Sequence, residues 1–358
     1  MAKSAIDTLC LDKLIIMPAS TPPHKQGKRL SPAAARLHAC TLAFENEPKV
    51  EVSDYEIEKQ GTSYTYLTCR HFRALYPNAN LFWLVGTDML RDFPTWKNPE
   101  DILSNATLAV CSRAEKEGWE EKELALFREK FHKEVAVIRY VASAVSSTQI
   151  RVLAGAGMRI THLTDEKVAQ FIEKEGLYKI SNADKALSLQ NEKRAKHSLG
   201  VALAAATVAN KLKMDERQAI TAALFHDCAK NITAEHPLLK GFVLDEKYGE
   251  VPPAVWHQFA GAYLAETAFK VTDEEVLNAI CFHTSGRANM TALEKLIFLA
   301  DMVEESRTFD GVDEIRKQFY QGNLDEAMRL ALKKSLSFLK EKGASVYPLT
   351  LEAYKSYE

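Results

Sequence analysis

The chain has 358 residues, which is more than one typical domain contains and suits two. Hydrophobic residues make up 46% of it and charged residues 26%, and the formal net charge is −2. This balance excludes a broad basic surface for nucleic acid or membrane, but it permits a local phosphate pocket. No apolar run approaches the roughly 18–20 residues of a membrane span, and the six cysteines are scattered without a CxxC pair. With no signal-peptide pattern at the N-terminus, we expect a cytoplasmic protein with reduced thiols.

The first half of the chain alternates β-rich runs with amphipathic helical stretches. Strands are predicted at residues 14–19, 50–57, 80–86, 106–112 and 135–141. Helices are predicted between them, for example at 31–46 and 64–77, and a helix at 165–178 closes this half with Gly176 as its C-cap. Strand and helix in repetition predict a doubly wound parallel sheet, hence an α/β domain over residues 1–180.

The second half is helical almost throughout. Residues 181–191 are polar and unpatterned, which indicates a linker. Beyond them, helix-period segments follow one another to the C-terminus, so residues 192–358 are predicted to form an all-helical domain.

Histidines and aspartates recur in or beside the apolar helical segments of this second half: His197, His226, Asp227, His257, His283 and Asp301. A buried carboxylate without a partner is costly, and a bound metal ion is the usual remedy. Imidazole plus carboxylate ligation suits Fe, Mn, Zn or Co, and such an ion activates water and neutralises phosphate oxygens. The pattern therefore predicts metal-assisted hydrolysis of a phosphoester or phosphoanhydride.

Cationic residues occur at helical spacing from these candidates. Arg194 precedes His197 by three positions, and Lys230 follows Asp227 by three, so each pair can face one cavity. His257 and His283 could complete a second metal shell or hold substrate phosphate. The alternative is that each histidine is a satisfied core residue, which is the commoner case for a single one; their recurrence favours a site.

The order H…HD…H…H…D resembles the HD-domain phosphohydrolases. The segments HSLGVALAAATVA, LFHDCAK, AICFHTSG and LIFLADMVEESRTFDGV resemble the YqeK-type branch, the symmetrical dinucleoside-tetraphosphate hydrolases. The resemblance covers about residues 190–340 and implies an iron-preferring site, with Mn or Co as alternatives, that cuts diadenosine tetraphosphate into two ADP. It implies the following roles: metal ligands His197, His226, Asp227 and Asp301; catalytic residues Asp227 and Lys230; substrate contacts Arg194, His257, His283, Thr284 and Arg307. Gln258 departs from the small residue expected after the histidine.

The first half resembles bacterial nicotinate-mononucleotide adenylyltransferases. PASTPPHK, GTSYTYLT, LVGTDMLRDFPTWKN and SSTQIR match that family's motifs in order. The resemblance implies that nicotinate mononucleotide and ATP contact His24, Lys25, Ser63, Tyr64, Thr65, Gly86, Asp88, Trp96, Ser147, Thr148 and Arg151. SSTQIR is itself typical of an anion site, because it offers hydroxyls, a helix N-terminus and Arg151. Read alone, Trp96 is equally a core residue, and SSTQIR an N-cap with a solvated arginine.

The HxGH element of that family, with the strand before it, has no counterpart in the printed sequence, whose first histidine is His24. The resemblance thus implies an incomplete sheet with a gap in its core and an exposed strand edge, which leaves a homo-oligomer open. We expect that the recorded start is late; otherwise this half is inactive. Three hypotheses follow: nucleotide hydrolysis by the helical half, adenylyl transfer by a longer first half, or a helical half that only binds nucleotide as a regulator.

Overall fold

The structure is a computed structural model that describes residues 1–20, 31–59, 61–113 and 119–357. It forms two compact units, Met1–Ala144 and Val145–Glu358. Among the described residues, no helix combines the length and the apolar character needed to cross a membrane.

The first unit contains short parallel strands with helices between them. Its strands are β1 (Leu14–Ile16), β2 (Val50–Val52), β3 (Phe82–Gly86), β4 (Thr107–Arg113) and β5 (Ala136–Tyr140). Its helices are α1 (Ala2–Thr8), α2 (Ala33–Phe44), α3 (Tyr55–Glu58), α4 (Thr65–Leu75), α5 (Thr87–Asp92), α6 (Pro99–Asn105) and α7 (Trp119–Phe131), with a 3-10 turn at Phe93–Thr95.

The described strands form two separate parallel sheets. β1 pairs with β2, with Leu14 opposite Val50, and β3, β4 and β5 form the second sheet in that order. The predicted α/β class is confirmed, and two sheets in place of one agree with the incomplete doubly wound sheet that we expected. The strand predicted at 50–57 is wrong in its second part, because the chain leaves the sheet after Val52 and forms α3.

The second unit is helical. Its helices are α8 (Ser147–Gly155), α9 (Glu166–Lys174), α10 (Ala183–Ser188), α11 (Glu192–Lys211), α12 (Glu216–Phe225), α13 (Pro253–Thr267), α14 (Glu274–Cys281), α15 (Ala292–Val303), α16 (Val312–Gln321), α17 (Leu324–Glu341) and α18 (Pro348–Lys355). Short 3-10 turns occur at Pro237–Leu239 and Glu246–Tyr248. The helix predicted at 165–178 forms as α9, and Gly176 adopts the left-handed φ of +59° expected just past a helix end.

α11 and α12 pack closely in the centre of this unit because their buried faces are mostly alanine. Residues 201–209 contribute five buried alanines and two valines to the core. Side chains this small let the helix backbones approach one another. Both helices begin at side-chain caps: Asn191 Oδ1 accepts from the backbone N–H of Arg194, and Asp215 caps α12.

The two compact units divide at residue 144, whereas the predicted domain boundary lies at residues 180–192 and stays a prediction. Residues 145–180, predicted to belong to the first domain, cluster with the helical unit. The predicted linker 181–191 contains α10, whose Ala183, Ala186 and Leu187 are buried in the helical core together with Val152. Its polar residues therefore face outward from a short buried helix, and the segment is not an exposed linker.

Candidate functional site

Three helices and two helix ends place the candidate residues of the helical unit in one cluster. His197 lies near the start of α11, His257 in the second turn of α13, and Asp301 in the last turn of α15. His226 and Asp227 come directly after α12, and His283 lies two residues past α14. The side chains of all six predicted residues therefore lie in a single cluster, each within contact distance of another.

The ligand-type atoms of the cluster lie within reach of one ion. His197 Nε2 is 2.8 Å from Asp301 Oδ1, and His226 Nε2 is 3.4 Å from Asp227 Oδ2. Two overlapping groups have atoms within 4.8 Å of one another: His197, His226 and Asp301; and His226, Asp227 and His283. His226 is common to both groups, so the geometry accommodates an ion in either group.

The hydrogen bonds on the far side of three imidazole rings decide which nitrogen faces the cluster. The Nδ1 atom of His226 is 2.6 Å from the Ala223 carbonyl, and that of His283 is 2.7 Å from the Ile280 carbonyl. A carbonyl oxygen only accepts, so each Nδ1 carries the proton and, in the neutral ring, Nε2 keeps its lone pair. His197 differs, because both of its nitrogens face carboxylates: Nδ1 is 3.0 Å from a Glu304 oxygen and Nε2 is 2.8 Å from Asp301 Oδ1, so a cation bound at Nε2 would leave the proton on Nδ1.

When these rings are neutral and Nε2 carries no proton, acceptors face acceptors. The Nε2 atoms of these rings face the carboxylates of Asp227 and Asp301, and the Nε2 atom of His226 is buried with no hydrogen-bond partner. An unpaired buried polar atom costs about 1–3 kcal/mol, and facing lone pairs repel. A divalent cation would satisfy all of these atoms at once, so the donor set fits a metal ion.

Cationic side chains border both carboxylates. Arg194 donates to Asp227 Oδ2 at 2.7 Å, and Arg307 donates to Asp301 Oδ1 at 2.6 Å. Burial by itself would raise the pKa of Asp227, but the charges and hydrogen bonds of the surrounding histidines outweigh it and lower the pKa. The pKa of Asp301 is also lowered, because His197 and Arg307 outweigh its burial. Both carboxylates are thus ionised and available as ligands.

His257 and Lys230 form the side of the cluster nearest to Asp227. The Lys230 ammonium lies 3.2 Å from both ring nitrogens of His257, and His257 Nε2 lies 3.2 Å from Asp227 Oδ1 and from Thr284 Oγ1. Burial lowers the pKa of His257 to about 4, helped by the nearby positive groups, so the ring is neutral at neutral pH. Burial also lowers the pKa of Lys230.

The adjacent pair His226-Asp227 lies just beyond α12, beside the helix and not within it. α12 ends at Phe225 because the His226 side chain takes the carbonyl of Ala223, three residues earlier, and so competes with the helical backbone bond. Residues 227–230 form a turn, in which the Lys230 N–H donates to the Asp227 carbonyl. Lys230 therefore still lies next to the pair, as its spacing in the sequence predicted.

Sequence reasoning missed two buried polar residues behind the cluster. Glu304 accepts from His197, and Gln258 binds the backbone of Thr284 and Ser285, directly after His283. Gln258 was noticed only as a departure from a motif. A signal for Glu304 exists in retrospect: Gly200 is the single glycine of α11 and lies against the Glu304 carboxylate.

The residues predicted to bind nicotinate mononucleotide and ATP fall in different places. His24 and Lys25 lie outside the described residues. In the first unit, Ser63 Oγ accepts from the Ser20 N–H, Tyr64 precedes α4, and Thr65 begins it. Gly86 ends β3 and Asp88 lies in the first turn of α5; a Cβ on Gly86 would meet Asp88 Oδ1 at 2.7 Å. Trp96 packs on Phe93 with ring centroids 5.3 Å apart, at the edge of an aromatic core.

Ser147, Thr148 and Arg151 belong to the second compact unit, on α8. Ser146 caps this helix, as we predicted for an N-cap. The Arg151 guanidinium is not free: it makes a two-bond ion pair with Glu216 at 2.7 Å for each bond, and it donates to Thr148 Oγ1. The positive charge of this predicted anion site is thus already matched by a carboxylate.

Comparison with known protein families separates the chain into two regions. Residues 1–153 match the cytidylyltransferase-like family, and residues 194–306 match the HD domain family. Residues 134–237 also match the HDOD domain family. HD domains depend on metal ions, which agrees with the donor set of the cluster.

Individual relatives divide in the same way. A probable nicotinate-nucleotide adenylyltransferase of Clostridium tetani is 38% identical over 184 residues, which cover 50% of this chain and 90% of that protein. A symmetrical bis(5'-nucleosyl)-tetraphosphatase of Bacillus subtilis is 39% identical over 167 residues, 46% of this chain and 88% of that protein. Among solved structures, a predicted HD superfamily hydrolase involved in NAD metabolism from Clostridium acetobutylicum is 35% identical with a TM-score of 0.43, covering 49% of this chain and 95% of that one.

These matches confirm the two resemblances seen in the sequence and the assignment of the chain as an enzyme. The helical half carries the histidine and aspartate cluster of a hydrolase, and the α/β half carries the ordered motifs of a nucleotidyltransferase-like domain. The chain belongs to the nicotinate-nucleotide adenylyltransferase family in its cytidylyltransferase-like first half and to the HD-domain hydrolases in its second.

Proposed function

We propose that the helical half hydrolyses diadenosine tetraphosphate symmetrically to two ADP, with the help of a divalent metal ion. The observation that carries this proposal is the buried Nε2 atom of His226, which has no hydrogen-bond partner and lies among carboxylates. The similarity of the helical half to the tetraphosphatase of Bacillus subtilis supports the choice of substrate.

His197, His226, Asp227 and Asp301 are the proposed ligands of the ion. When bound, such an ion lowers the pKa of water and neutralises phosphate oxygens. Mixed imidazole and carboxylate ligands suit iron, manganese and cobalt, and we propose iron as the resident metal. Arg194 donates to Asp227 and Arg307 donates to Asp301, the two carboxylates among the proposed ligands. An ion bound to these carboxylates would compete with the two arginines for their oxygens. The guanidinium groups would then be able to donate to substrate phosphate.

In the proposed reaction, water attacks one of the two inner phosphorus atoms. The bond between that phosphorus atom and the central bridging oxygen then breaks, and the second ADP leaves. Asp227 is ionised and its Oδ2 accepts a hydrogen bond from Arg194, so its carboxylate can orient the water, whose proton passes to solvent as the bond to phosphorus forms. Lys230 is the proposed donor to the oxygen that leaves, where negative charge develops. His257, His283 and Thr284 would contact the phosphates from the opposite side, together with the two arginines.

The experiment is hydrolysis of diadenosine tetraphosphate by the purified full chain, with and without Fe²⁺ or Mn²⁺, with products separated by ion-exchange chromatography. We expect ADP as the sole product, dependent on metal, and a loss of roughly 100-fold or more in Asp227→Ala. Asp310→Ala is the matched control, because its side chain is 99% exposed and pairs only with Lys334. A folded, metal-loaded protein that gives no ADP would exclude this substrate, and nucleotide binding without turnover would favour the regulatory hypothesis.

For the first half we propose binding of nicotinate mononucleotide and ATP without adenylyl transfer in the chain as printed. The similarity to the enzyme of Clostridium tetani supports the binding, and the sequence contains no HxGH element to promote the transfer. Incubation of the full chain with both substrates should give no dinucleotide. Formation of dinucleotide by this chain would refute the proposal; formation only by a longer chain that carries HxGH would support it.

A further inference from the structure

Glu304 is a buried carboxylate immediately after α15 that belongs to neither ligand group. Its side chain is 3% exposed. It accepts hydrogen bonds from His197 Nδ1 at 3.0 Å, from the Ser306 backbone N–H at 2.9 Å and from the Ser306 hydroxyl. Arg307 Nε is 3.7 Å from the same carboxylate. Both of its oxygens are therefore held in place, and one of them is held against a histidine 107 residues earlier in the chain.

The three histidines that present Nε2 to the cluster differ in what binds their Nδ1 atom. For His226 and His283 the acceptor is the backbone carbonyl three residues earlier, which the local turn supplies. His197 lies inside the continuous helix α11, where the backbone carbonyls are taken by helical hydrogen bonds. Glu304 supplies from a distant element the acceptor that the helix of His197 does not provide.

The backbone of α11 is shaped for this contact. Gly200 lies one turn after His197, and a Cβ built on it would meet Glu304 Oε2 at 2.9 Å, a distance that real Cβ atoms almost never show. A glycine within a helix costs up to about 1 kcal/mol relative to alanine, and this one interrupts an alanine-rich segment. The space that the missing side chain leaves is filled by the carboxylate.

We propose that Glu304 is a positioning residue, which fixes the tautomer and orientation of His197 and so strengthens metal binding. Gly200 makes this contact possible, because its lack of a side chain leaves the space that the Glu304 carboxylate occupies. The idea rests on the proposed metal role of His197. A carboxylate on the far nitrogen of a ligand histidine also makes the near nitrogen more basic. Loss of such a partner weakens metal binding by roughly 10- to 100-fold.

The test uses the full chain and two readouts that need no substrate. The first is the tautomer of His197 in the metal-free protein, from ¹⁵N shifts of labelled histidine assigned with His197→Gln. The second is the affinity for Mn²⁺, from the electron paramagnetic resonance signal of the free ion. We expect Nδ1 of His197 to be protonated in the wild type, and Glu304→Ala to shift protonation from Nδ1 towards Nε2, which faces Asp301, and to bind Mn²⁺ roughly 10-fold or more weakly.

Gly200→Ala places a methyl group against the Glu304 carboxylate and so displaces it from His197. This variant should also weaken Mn²⁺ binding, although alanine has the higher helix propensity. Glu304→Gln should restore part of the affinity, because its amide oxygen still accepts from Nδ1. Glu294→Gln is the matched control, since Glu294 is equally buried but pairs with Arg287. Unchanged tautomer and affinity in both Glu304→Ala and Gly200→Ala would overturn the proposal. If the wild type binds neither Mn²⁺ nor Fe²⁺, the proposed function fails, whereas the protonation of Nδ1 still tests Glu304 separately.

Discussion

Gln258 offers a quantitative test of how the cluster is held, because one fully buried side chain makes three hydrogen bonds. Its Oε1 accepts from the N–H groups of Thr284 and Ser285 at 3.2 and 3.0 Å, and its Nε2 donates to Ser285 Oγ at 2.9 Å. Gln258→Ala removes all three and leaves two backbone donors without a partner. At about 1 kcal/mol for the bond to Ser285 Oγ and 1–3 kcal/mol for each of the two buried unpaired donors, we expect a loss of roughly 3–7 kcal/mol.

The measurement is urea unfolding of the metal-free chain followed by circular dichroism. For a unit of this size, at about 2–4 °C per kcal/mol, the loss corresponds to a decrease of roughly 6–28 °C in Tm. Gln170→Ala is the control, because Gln170 is exposed and donates only to Glu166; we expect a change within about 0.5 kcal/mol. Since Thr284 follows His283, the Gln258 variant should also bind Mn²⁺ more weakly. A loss below about 1 kcal/mol would refute the reasoning, since it would mean that water or a shifted loop satisfies both donors.

The remaining predictions concern charge and protonation. Arg151→Ala and Glu216→Ala should show a coupling of about 1–2 kcal/mol in a double-mutant cycle, reduced by salt because both groups are partly exposed; additive losses would contradict the pair. The pKa of His257 is depressed to about 4, so its contribution to stability is complete above about pH 6.5 and is lost as the pH falls towards 4. Between pH 7 and pH 4, the free energy of unfolding of the metal-free wild type, measured by urea titration, should therefore fall by about 3 kcal/mol more than that of His257→Gln. Equal decreases in the two proteins would exclude a depressed pKa for His257. Burial raises the pKa of the Cys69 thiol to about 12, so at pH 8 a thiol reagent should label exposed Cys10 and spare Cys69 until the protein unfolds. Equal labelling rates in the native protein would argue against that burial.

The sequence predicted the fold class and the members of the cluster because both depend on local pattern. Runs of β-branched residues between amphipathic stretches specify strands between helices, and polar residues in apolar helices indicate a shared buried site. Helix ends were less predictable. α12 and α14 end where His226 and His283 turn back to bind a carbonyl three residues earlier, and no propensity scale contains that bond.

Contacts between distant residues could not be predicted. Glu304 stands in an acidic run that is typical of an exposed helix end, and only the folded chain brings it to His197. Arg151 likewise has the sequence of an anion site, but its partner Glu216 lies 65 residues away. The burial of α10 was hidden for a similar reason, because this helix buries only Ala183, Ala186 and Leu187 and its other residues are polar.

The place where the compact units divide limits how this enzyme can be dissected. A fragment that starts at residue 192 would lose Val152, Ile180 and Ala183, and the core around α11 would open to solvent. A cut after Ala144 keeps that core whole, but it assigns α8 and its SSTQIR segment to the hydrolase fragment. No single break in the chain therefore yields both an intact helical fragment and a first fragment with all its proposed ATP contacts. Two fragments made to test the halves separately would therefore both have to include α8, which the helical core and the proposed ATP contacts both use.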